Sequence, residues 1–111
     1  MNSKTTRVNF AALQGIDFID YRDESDFQRA VIHESIDRKW QHHHQYDSRR
    51  SISGYPDLIL FRERVVWMEL KVQNRKLKPA QKEWRNFILS AGGEWYVFWP
   101  KDWAKIMEVL A

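Results

Sequence analysis

Apolar residues first recur at helical spacing between residues 23 and 40. Phe27, Ala30 and Val31 fall on one stripe of such a helix, as expected for a face that packs on a core. Asp23 can accept a free N–H group of the first turn and is predicted to cap the helix. The pattern therefore predicts an amphipathic helix that runs to about Trp40.

Two further helices are indicated nearer the C-terminus. Pro79 suits a first helical turn, where its missing N–H costs nothing. The Gly92–Gly93 pair ends this helix, since glycine adopts the left-handed backbone found at many helix ends. A shorter helix is predicted over 102–110. The apolar residues expected to face the core are Ala80, Trp84, Phe87, Ile88 and Ala91 in the first of these helices, and Trp103, Ile106, Met107 and Leu110 in the second.

Three apolar runs predict strands. The runs Asp57–Phe61 and Val65–Val72 are separated only by Arg62–Arg64, which is typical of a β-hairpin. A third strand is predicted over Glu94–Trp99 and is ended by Pro100, which cannot donate to a sheet. The chain therefore alternates helices with short strands.

The remaining segments show no regular apolar pattern. Residues 1–22 are interpreted as an irregular lead-in, and residues 41–54 as a loop with room for one short edge strand. With 111 residues, the chain has the size of one domain. We expect a single α/β domain over 1–111, with a small mixed sheet flanked by helices in the order α-β-β-α-β-α.

Composition narrows the cellular setting. The chain has no cysteine, which excludes disulfides and thiolate metal sites and favours the reducing cytosol. It has no apolar run near the ~20 residues that span a bilayer, and its N-terminus has no signal-peptide core. The sequence predicts a soluble cytoplasmic protein with no membrane partner.

Positive charge is concentrated rather than large. The net charge is only +3, from 18 basic and 15 acidic residues. Between residues 71 and 85, however, six basic residues accompany a single acid, Glu83, and Arg49 and Arg50 form a second basic pair. Such runs fit a phosphate-binding surface and a merely solvated face equally well.

The geometry of the hairpin determines whether two acids, Asp57 and Glu69, lie opposite each other. If its turn is centred on Glu63, Asp57 and Glu69 lie six residues away on either side and are directly opposed. They then share a face with each other and with Lys71, because strand side chains alternate. A hairpin loop of even length would place the two acids on opposite faces. The apolar residues fit both arrangements.

Opposed carboxylates repel each other unless a positive charge lies between them. Lys71 can supply one charge, and a divalent cation can supply two. Oxygen ligands of this kind suit Mg²⁺ or Mn²⁺, which can polarise phosphoryl oxygens and activate water. The competing interpretation is an ordinary ion pair of Glu69 on an exposed hairpin.

At this point the motifs resemble a known family. Gly54–Asp57, eleven further residues and then Glu69–Lys71 resemble the signature of the PD-(D/E)XK nucleases, more narrowly of their VRR-NUC branch. The resemblance covers roughly residues 23 to 110 and implies a restriction-endonuclease-like core. Its other pieces are Glu24, His44 followed by Asp47–Arg50, Gln81, Ala91–Gly93 and Trp99–Trp103.

The resemblance implies roles at the hairpin. Asp57 and Glu69 would hold Mg²⁺ or Mn²⁺, with the backbone carbonyl of Leu70 as a third protein ligand. Lys71 would orient the attacking water or stabilise charge on phosphorus. No small-molecule cofactor besides the metal is implied.

It also implies roles for two helical residues. Glu24 would bind a second metal or a metal-bound water, and Gln81 would orient Lys71 or a substrate phosphate. Glu34 competes with Glu24, because it lies on the same stripe as Val31. The sequence departs from the family at Lys78, where a Ser or Thr helix cap is usual.

The three consecutive histidines do not predict a zinc site. Adjacent residues of an extended segment cannot all face one ion, and no second cluster completes a tetrahedral site. We expect His42 and His43 on the surface, and His44 in contact with phosphate or base. The residues predicted to bind nucleic acid are His44, Arg49, Arg50, Arg75, Lys76, Lys78 and Lys82.

These features together predict a metal-dependent DNA endonuclease, acting in the cytoplasm of a bacterial or phage-infected cell. A minimal domain has little surface for reading bases, which favours branched or flapped DNA. The resemblance further implies four-way junctions, because small VRR-NUC proteins are similar to junction resolvases. Paired cuts need two active sites, so we expect a homodimer. Trp95, Trp99 and Trp103 are expected in the core or at that interface rather than as platforms for bases.

Two other functions remain open. One is a monomeric exonuclease or nicking enzyme of the same fold. The other is a catalytically idle nucleic-acid-binding module, which has little use for acids that repel phosphate.

Overall fold

Four strands and three helices follow one another in the computed structural model, which describes residues 18–45 and 52–111. None of the described helices is both long and apolar enough to cross a membrane. In chain order the elements are α1 (Glu24–Asp37), β1 (Gln41–His44), β2 (Leu58–Phe61), β3 (Val65–Leu70), α2 (Pro79–Ser90), β4 (Glu94–Phe98) and α3 (Trp103–Leu110), with a 3-10 turn at Pro100–Asp102 before α3.

The strands form one mixed sheet in the order β1-β2-β3-β4. The first three are antiparallel neighbours, and α2 carries the chain across to β4, which is parallel to β3. The predicted α/β fold with a small mixed sheet is confirmed. β1 is the short edge strand for which the loop prediction left room.

The register of the hairpin settles the question left open by the sequence. Phe61 pairs with Val65, and Leu58 pairs with Met68, so the turn is centred on Glu63. The odd-length loop is therefore the one that forms. Continued one pair outward, this register sets Asp57 opposite Glu69.

The core lies against one face of the sheet. Leu58, Leu60, Val66, Met68 and Leu70, which the hairpin geometry predicts to share this face, are all fully buried. They pack with Phe27 and Val31 from α1 and with Ile106 and Leu110 from α3. Because alternate residues fill the core, the residues between them, including Glu69, are directed to the other face.

Some predicted element ends differ from those observed. α1 ends at Asp37 rather than near Trp40, because Lys39 has φ +70° and the Trp40 N–H turns back to the Ser35 carbonyl. β3 ends at Leu70 rather than Val72. Of the predicted lead-in, residues 1–17 lie outside the described ranges.

Trp40 packs beside the turn of the hairpin, at the end away from Asp57 and Glu69. Its indole N–H donates to the Leu110 carbonyl at 3.0 Å. The guanidinium groups of Arg62 and Arg64 lie over its ring, 4.4 and 5.1 Å from the ring centre. These arginines therefore tie the hairpin turn to α3, at the opposite end of the hairpin from Asp57 and Glu69.

Candidate active site

Two acids meet where the hairpin strands diverge. Asp57 directly precedes β2, and Glu69 is the penultimate residue of β3. The Leu70 N–H donates to Asp57 Oδ2 at 3.1 Å, which fixes the Asp57 carboxylate beside β3. Glu69 is only 1% exposed, and its carboxyl group lies beside that of Asp57. The structure thus brings together the two acids predicted as metal ligands.

The environment of Glu69 favours its protonated form. Burial, and next the nearby Asp57 carboxylate, together raise the pKa of Glu69 to about 9. Lys71 acts in the opposite direction. Because Glu69 is buried beside a second carboxylate, its protonated form is favoured until a cation replaces the proton.

Lys71 completes this cluster. The residue is only 5% exposed, and Nζ lies 4.0 Å from Glu69 Oε1. The Lys71 N–H donates to the Phe98 carbonyl at 2.9 Å, so pairing with β4 continues one residue past β3. Extended backbone keeps the side chains of Glu69 and Lys71 on one face.

Gln81 joins the cluster from the first turn of α2. Its Nε2 donates to Glu69 Oε1 at 2.9 Å, and its Oε1 accepts from the Lys78 N–H at 2.8 Å. Gln81 therefore supplies the helix cap that Lys78 lacks, which accounts for the departure noted in the sequence. Gln81 is therefore hydrogen-bonded to Glu69 rather than to Lys71. The Glu69 oxygen that accepts this bond is also the one nearest Lys71 Nζ.

Glu24 stands at the edge of the site, at the start of α1. Its Oε2 accepts from Arg75 Nη1 at 2.9 Å, and its charge contributes to the raised pKa of Glu69. The rival acid, Glu34, forms an ion pair with Arg38 near the other end of the helix. Of the two acids, Glu24 is therefore the one that interacts electrostatically with Glu69.

The backbone of Leu70 is freed for a ligand by Pro56. The Arg62 N–H donates to the Arg64 carbonyl at 3.0 Å, so hydrogen-bonded pairs in this hairpin fall at every second position from Arg62. The next positions of that series beyond Leu58 and Met68 are Pro56 and Leu70. Because proline has no N–H, it cannot cap the Leu70 carbonyl as another residue would.

Gly54 lets the loop that carries Asp57 lie directly on α2. Its φ is +80°, and a Cβ atom added there would lie 2.4 Å from the backbone carbonyl group of Ala80. The next residue, Tyr55, packs edge-on against Trp84 with ring centres 4.9 Å apart. These contacts hold Asp57 and Gln81 on the same side of Glu69.

Gly54→Ala is expected to destabilise the protein by about 1–3 kcal/mol more than Gly92→Ala, because it adds a steric clash to the same backbone strain. Gly92 is a matched control, since its φ is +82° and a Cβ atom there would meet nothing within 4 Å. Urea unfolding of the two variants measures the difference. Equal losses would show that the close approach to Ala80 is not required.

The residues predicted to bind nucleic acid fall into three groups. Lys76, Lys78 and Lys82 are exposed, and Arg75 is exposed but paired with Glu24. His44 is half-buried: burial lowers its pKa, the Asp57 carboxylate opposes this, and Nε2 lies 2.5 Å from Gln28 Oε1. Arg49 and Arg50 lie outside the described residues.

The remaining histidines and tryptophans singled out in the sequence differ in how exposed they are. His42 and His43 are exposed, as expected. Trp95, Trp99 and Trp103 are each half-buried, and Trp103 packs on the core. Phe87, which the helical pattern predicts to face the core, is instead exposed, as is Leu89 on the same helix.

The donor set fits a hard divalent cation. Within residues 18–45 and 52–111, no three His, Asp or Glu side chains converge as metal ligands. A metal would therefore be held by Asp57, Glu69 and the Leu70 carbonyl, and its other positions would be filled by water or phosphate. Mg²⁺ commonly binds in this way, through one or two carboxylates.

Metal binding should release about one proton near pH 7, because Glu69, with a pKa of about 9, must lose its proton to bind. Raising the pH from 6 towards 9 should accordingly tighten Mn²⁺ binding. Calorimetry in two buffers of different ionisation enthalpy measures the protons released. Affinity that is flat over this range, with no release, would mean that the metal does not bind at Glu69.

Comparison with known proteins agrees with this geometry. The family model of the VRR-NUC domain matches residues 10–99. A solved structure described as a VRR-NUC domain superposes with a TM-score of 0.63 at 19% identity, over 78% of this chain and 92% of the other. No protein in a search of curated proteins matches. The chain belongs to the VRR-NUC domain family, which implies a nuclease-type function.

Proposed function

We propose that this protein is a metal-dependent DNA endonuclease that hydrolyses phosphodiester bonds with Mg²⁺ or Mn²⁺. The observation that best supports this proposal is the buried Glu69 carboxyl group beside the half-buried Asp57, with Lys71 Nζ 4.0 Å from Glu69 Oε1. An acidic pair of this kind destabilises the metal-free fold, whereas it is a suitable ligand set for a divalent cation. The absence of cysteine from the sequence suits a cytoplasmic setting.

Each residue of the cluster has a distinct task in this mechanism. A bound metal would polarise the scissile phosphate and lower the pKa of an attacking water. Asp57 is held in place by the Leu70 N–H, and Glu69 by the Gln81 amide. The Lys71 ammonium group orients the water and stabilises negative charge that develops on the phosphate oxygens.

Glu24 and Arg75 form the entrance to the cluster. In the absence of substrate they pair with each other at 2.9 Å. On binding, a DNA phosphate can replace the Glu24 carboxylate as the partner of Arg75. Glu24 is then available to a second metal or to a metal-bound water.

The proposed substrate is branched DNA, with four-way junctions as the leading case. The exposed lysines near the site, at positions 76, 78 and 82, offer phosphate contacts, which carry no base specificity. Paired cuts in a junction would be made by a C2 homodimer. The exposed Phe87 and Leu89 on α2 offer a more suitable interface than the half-buried tryptophans.

Cleavage of labelled four-way junction, flap and linear duplex in Mg²⁺, Mn²⁺ or EDTA tests this proposal. We expect cutting with either metal, none in EDTA, and preference for the junction. Light scattering on the same sample should give the mass of a dimer. A monomer that cuts duplex ends or nicks duplex equally well would favour the exonuclease or nicking enzyme, and binding without cleavage would favour the idle module.

Replacing Lys76 and Lys78 together by Gln is expected to flatten the salt dependence of junction binding. Each phosphate contact contributes a slope of nearly one log unit of affinity per log unit of salt, and each lost contact removes that contribution. Lys39→Gln is the control, since this exposed lysine follows α1 at the end away from Glu24. Binding titrations at several salt concentrations give the slopes, and an unchanged slope would remove these lysines from the interface.

A further inference from the structure

A groove lies beside the metal-binding cluster and has no task in the mechanism above. It has a volume of about 430 Å³ and is formed by the loop 73–76, which follows β3, and by 99–101, which follow β4. β3 and β4 are parallel, with Leu70 paired to Phe98, so both loops leave the same edge of the sheet. The carboxyl ends of parallel strands are the usual place for ligands in open α/β sheets.

Backbone contacts fix the two walls of this groove, here called the Trp99 groove. The Trp99 indole N–H donates to the Arg75 carbonyl at 3.1 Å and so joins the two loops. The Trp99 backbone N–H donates to Asp102 Oδ2 at 2.9 Å. Gln73 has φ +54°, an uncommon conformation for a residue with a side chain, and such residues are concentrated at functional sites.

Arg75 links the Trp99 groove to the cluster. Arg75 lines the groove and at the same time holds the Glu24 carboxylate at 2.9 Å. Lys71, whose Nζ faces Glu69, lies two residues before the loop that forms one wall. A nucleotide bound in the groove would therefore place its neighbouring phosphate close to Arg75 and Glu24.

The lining combines three kinds of group. Phe18 and Trp99 offer aromatic surface, Asn74 offers an amide, and Lys76 and Lys101 offer exposed ammonium groups. Asp20 is the one acid among the lining residues of this groove. Aromatic faces that stack on a base, beside cations that track the backbone, are the usual means of binding single-stranded nucleic acid.

We propose that the Trp99 groove binds one unstacked nucleotide of the DNA strand, adjacent to the phosphate that is cut. The inference rests on the proposed nuclease function and specifies its substrate: DNA that has an unpaired or easily unpaired nucleotide next to the cleavage point. In continuous duplex that base stays stacked in the helix and does not reach the groove. Branch points and flaps provide it at little cost.

The test uses 2-aminopurine, a base whose fluorescence rises or falls when its stacking changes, placed at the unpaired position of a flap. Binding to the intact protein is measured in Ca²⁺, chosen in place of Mg²⁺ to limit cleavage. We expect a fluorescence change for the flap and none for a matched duplex. Trp99→Leu should reduce flap affinity by about tenfold, within the range for loss of one base–aromatic stack, while duplex affinity holds.

Two comparisons keep the result interpretable. Trp99→Phe keeps an aromatic face without the indole N–H, and should retain more flap affinity than Trp99→Leu. The same substitution at Trp95, which lies near the start of β4 at the other end of the strand, should leave flap affinity unchanged. If Trp99→Leu fails to fold, Asn74→Ala combined with Lys101→Gln, both exposed, should still weaken flap binding selectively.

The outcome separates this inference from the proposed function. Hydrolysis of bis(p-nitrophenyl) phosphate in Mn²⁺ by the wild-type protein reports on the cluster without using the groove. If that ester and DNA are cut while the groove variants bind flap and duplex like the wild type, the groove proposal is overturned and the nuclease stands. If nothing is cut, the nuclease proposal fails, and the fluorescence comparison still decides whether a base enters the groove.

Discussion

Glu69→Gln is expected to lower DNA cleavage in Mg²⁺ by about a thousandfold or more. A bound metal contributes several kcal/mol to stabilising the transition state, and each 1.4 kcal/mol lost lowers the rate tenfold. Loss of the buried Glu69 carboxylate would leave the metal with Asp57 as its one carboxylate ligand in the cluster. DNA binding should persist, because the exposed lysines that offer phosphate contacts are unchanged. Rates of junction cleavage and binding titrations measure the two effects.

The matched control for this change is Glu63→Gln. Glu63 lies on the same hairpin but at its turn, where it pairs with Arg62 and Arg64. Its replacement should leave cleavage within about twofold, as expected for an exposed ion pair of small energetic value. If Glu69→Gln retained substantial cleavage in Mg²⁺, the catalytic cluster would have been placed at the wrong end of the hairpin.

The second large effect is expected at Glu24. Glu24→Gln should lower cleavage by about 10- to 100-fold, the usual loss for a residue that supports a metal site from outside its direct ligands. Glu34→Gln should change it by less than about twofold, since Glu34 is paired with Arg38 away from the cluster. Cleavage rates at saturating Mg²⁺ compare the two variants. The reverse ranking would transfer the role to Glu34.

The sequence predicted the hairpin and both acids because the relevant signals are local. Three charged residues between two apolar runs define a turn, and its centre at Glu63 determines which residues are opposed. It could not choose between odd and even loops, because both faces of these strands carry apolar residues. The choice depends on packing with α1 and α3, which lie far away in the chain.

Other features depend on tertiary contacts that no local pattern reveals. Trp40 fits the helical stripe, yet it leaves α1 because Arg62 and Arg64 cover its ring and Leu110 accepts its N–H. Likewise, the partner of Gln81 is set by how α2 crosses the sheet. A long-range contact of this kind is visible only once the fold is known.

Pro56 could have been interpreted from the sequence alone. The register that sets Asp57 opposite Glu69 also sets Pro56 opposite Leu70, and the missing N–H of proline follows from its chemistry. Together they imply a strand carbonyl without its ladder partner next to two acids. The resemblance to the family named the Leu70 carbonyl as a ligand, and the hairpin geometry explains why it is available.

Anomalous diffraction from crystals grown with Mn²⁺ locates the metal without reference to activity and so tests its placement at the hairpin acids. We expect a peak between Asp57, Glu69 and the Leu70 carbonyl, and loss of that peak in Glu69→Gln crystals grown in the same way. A Mn²⁺ peak elsewhere in the protein, or none here at saturating metal, would contradict it.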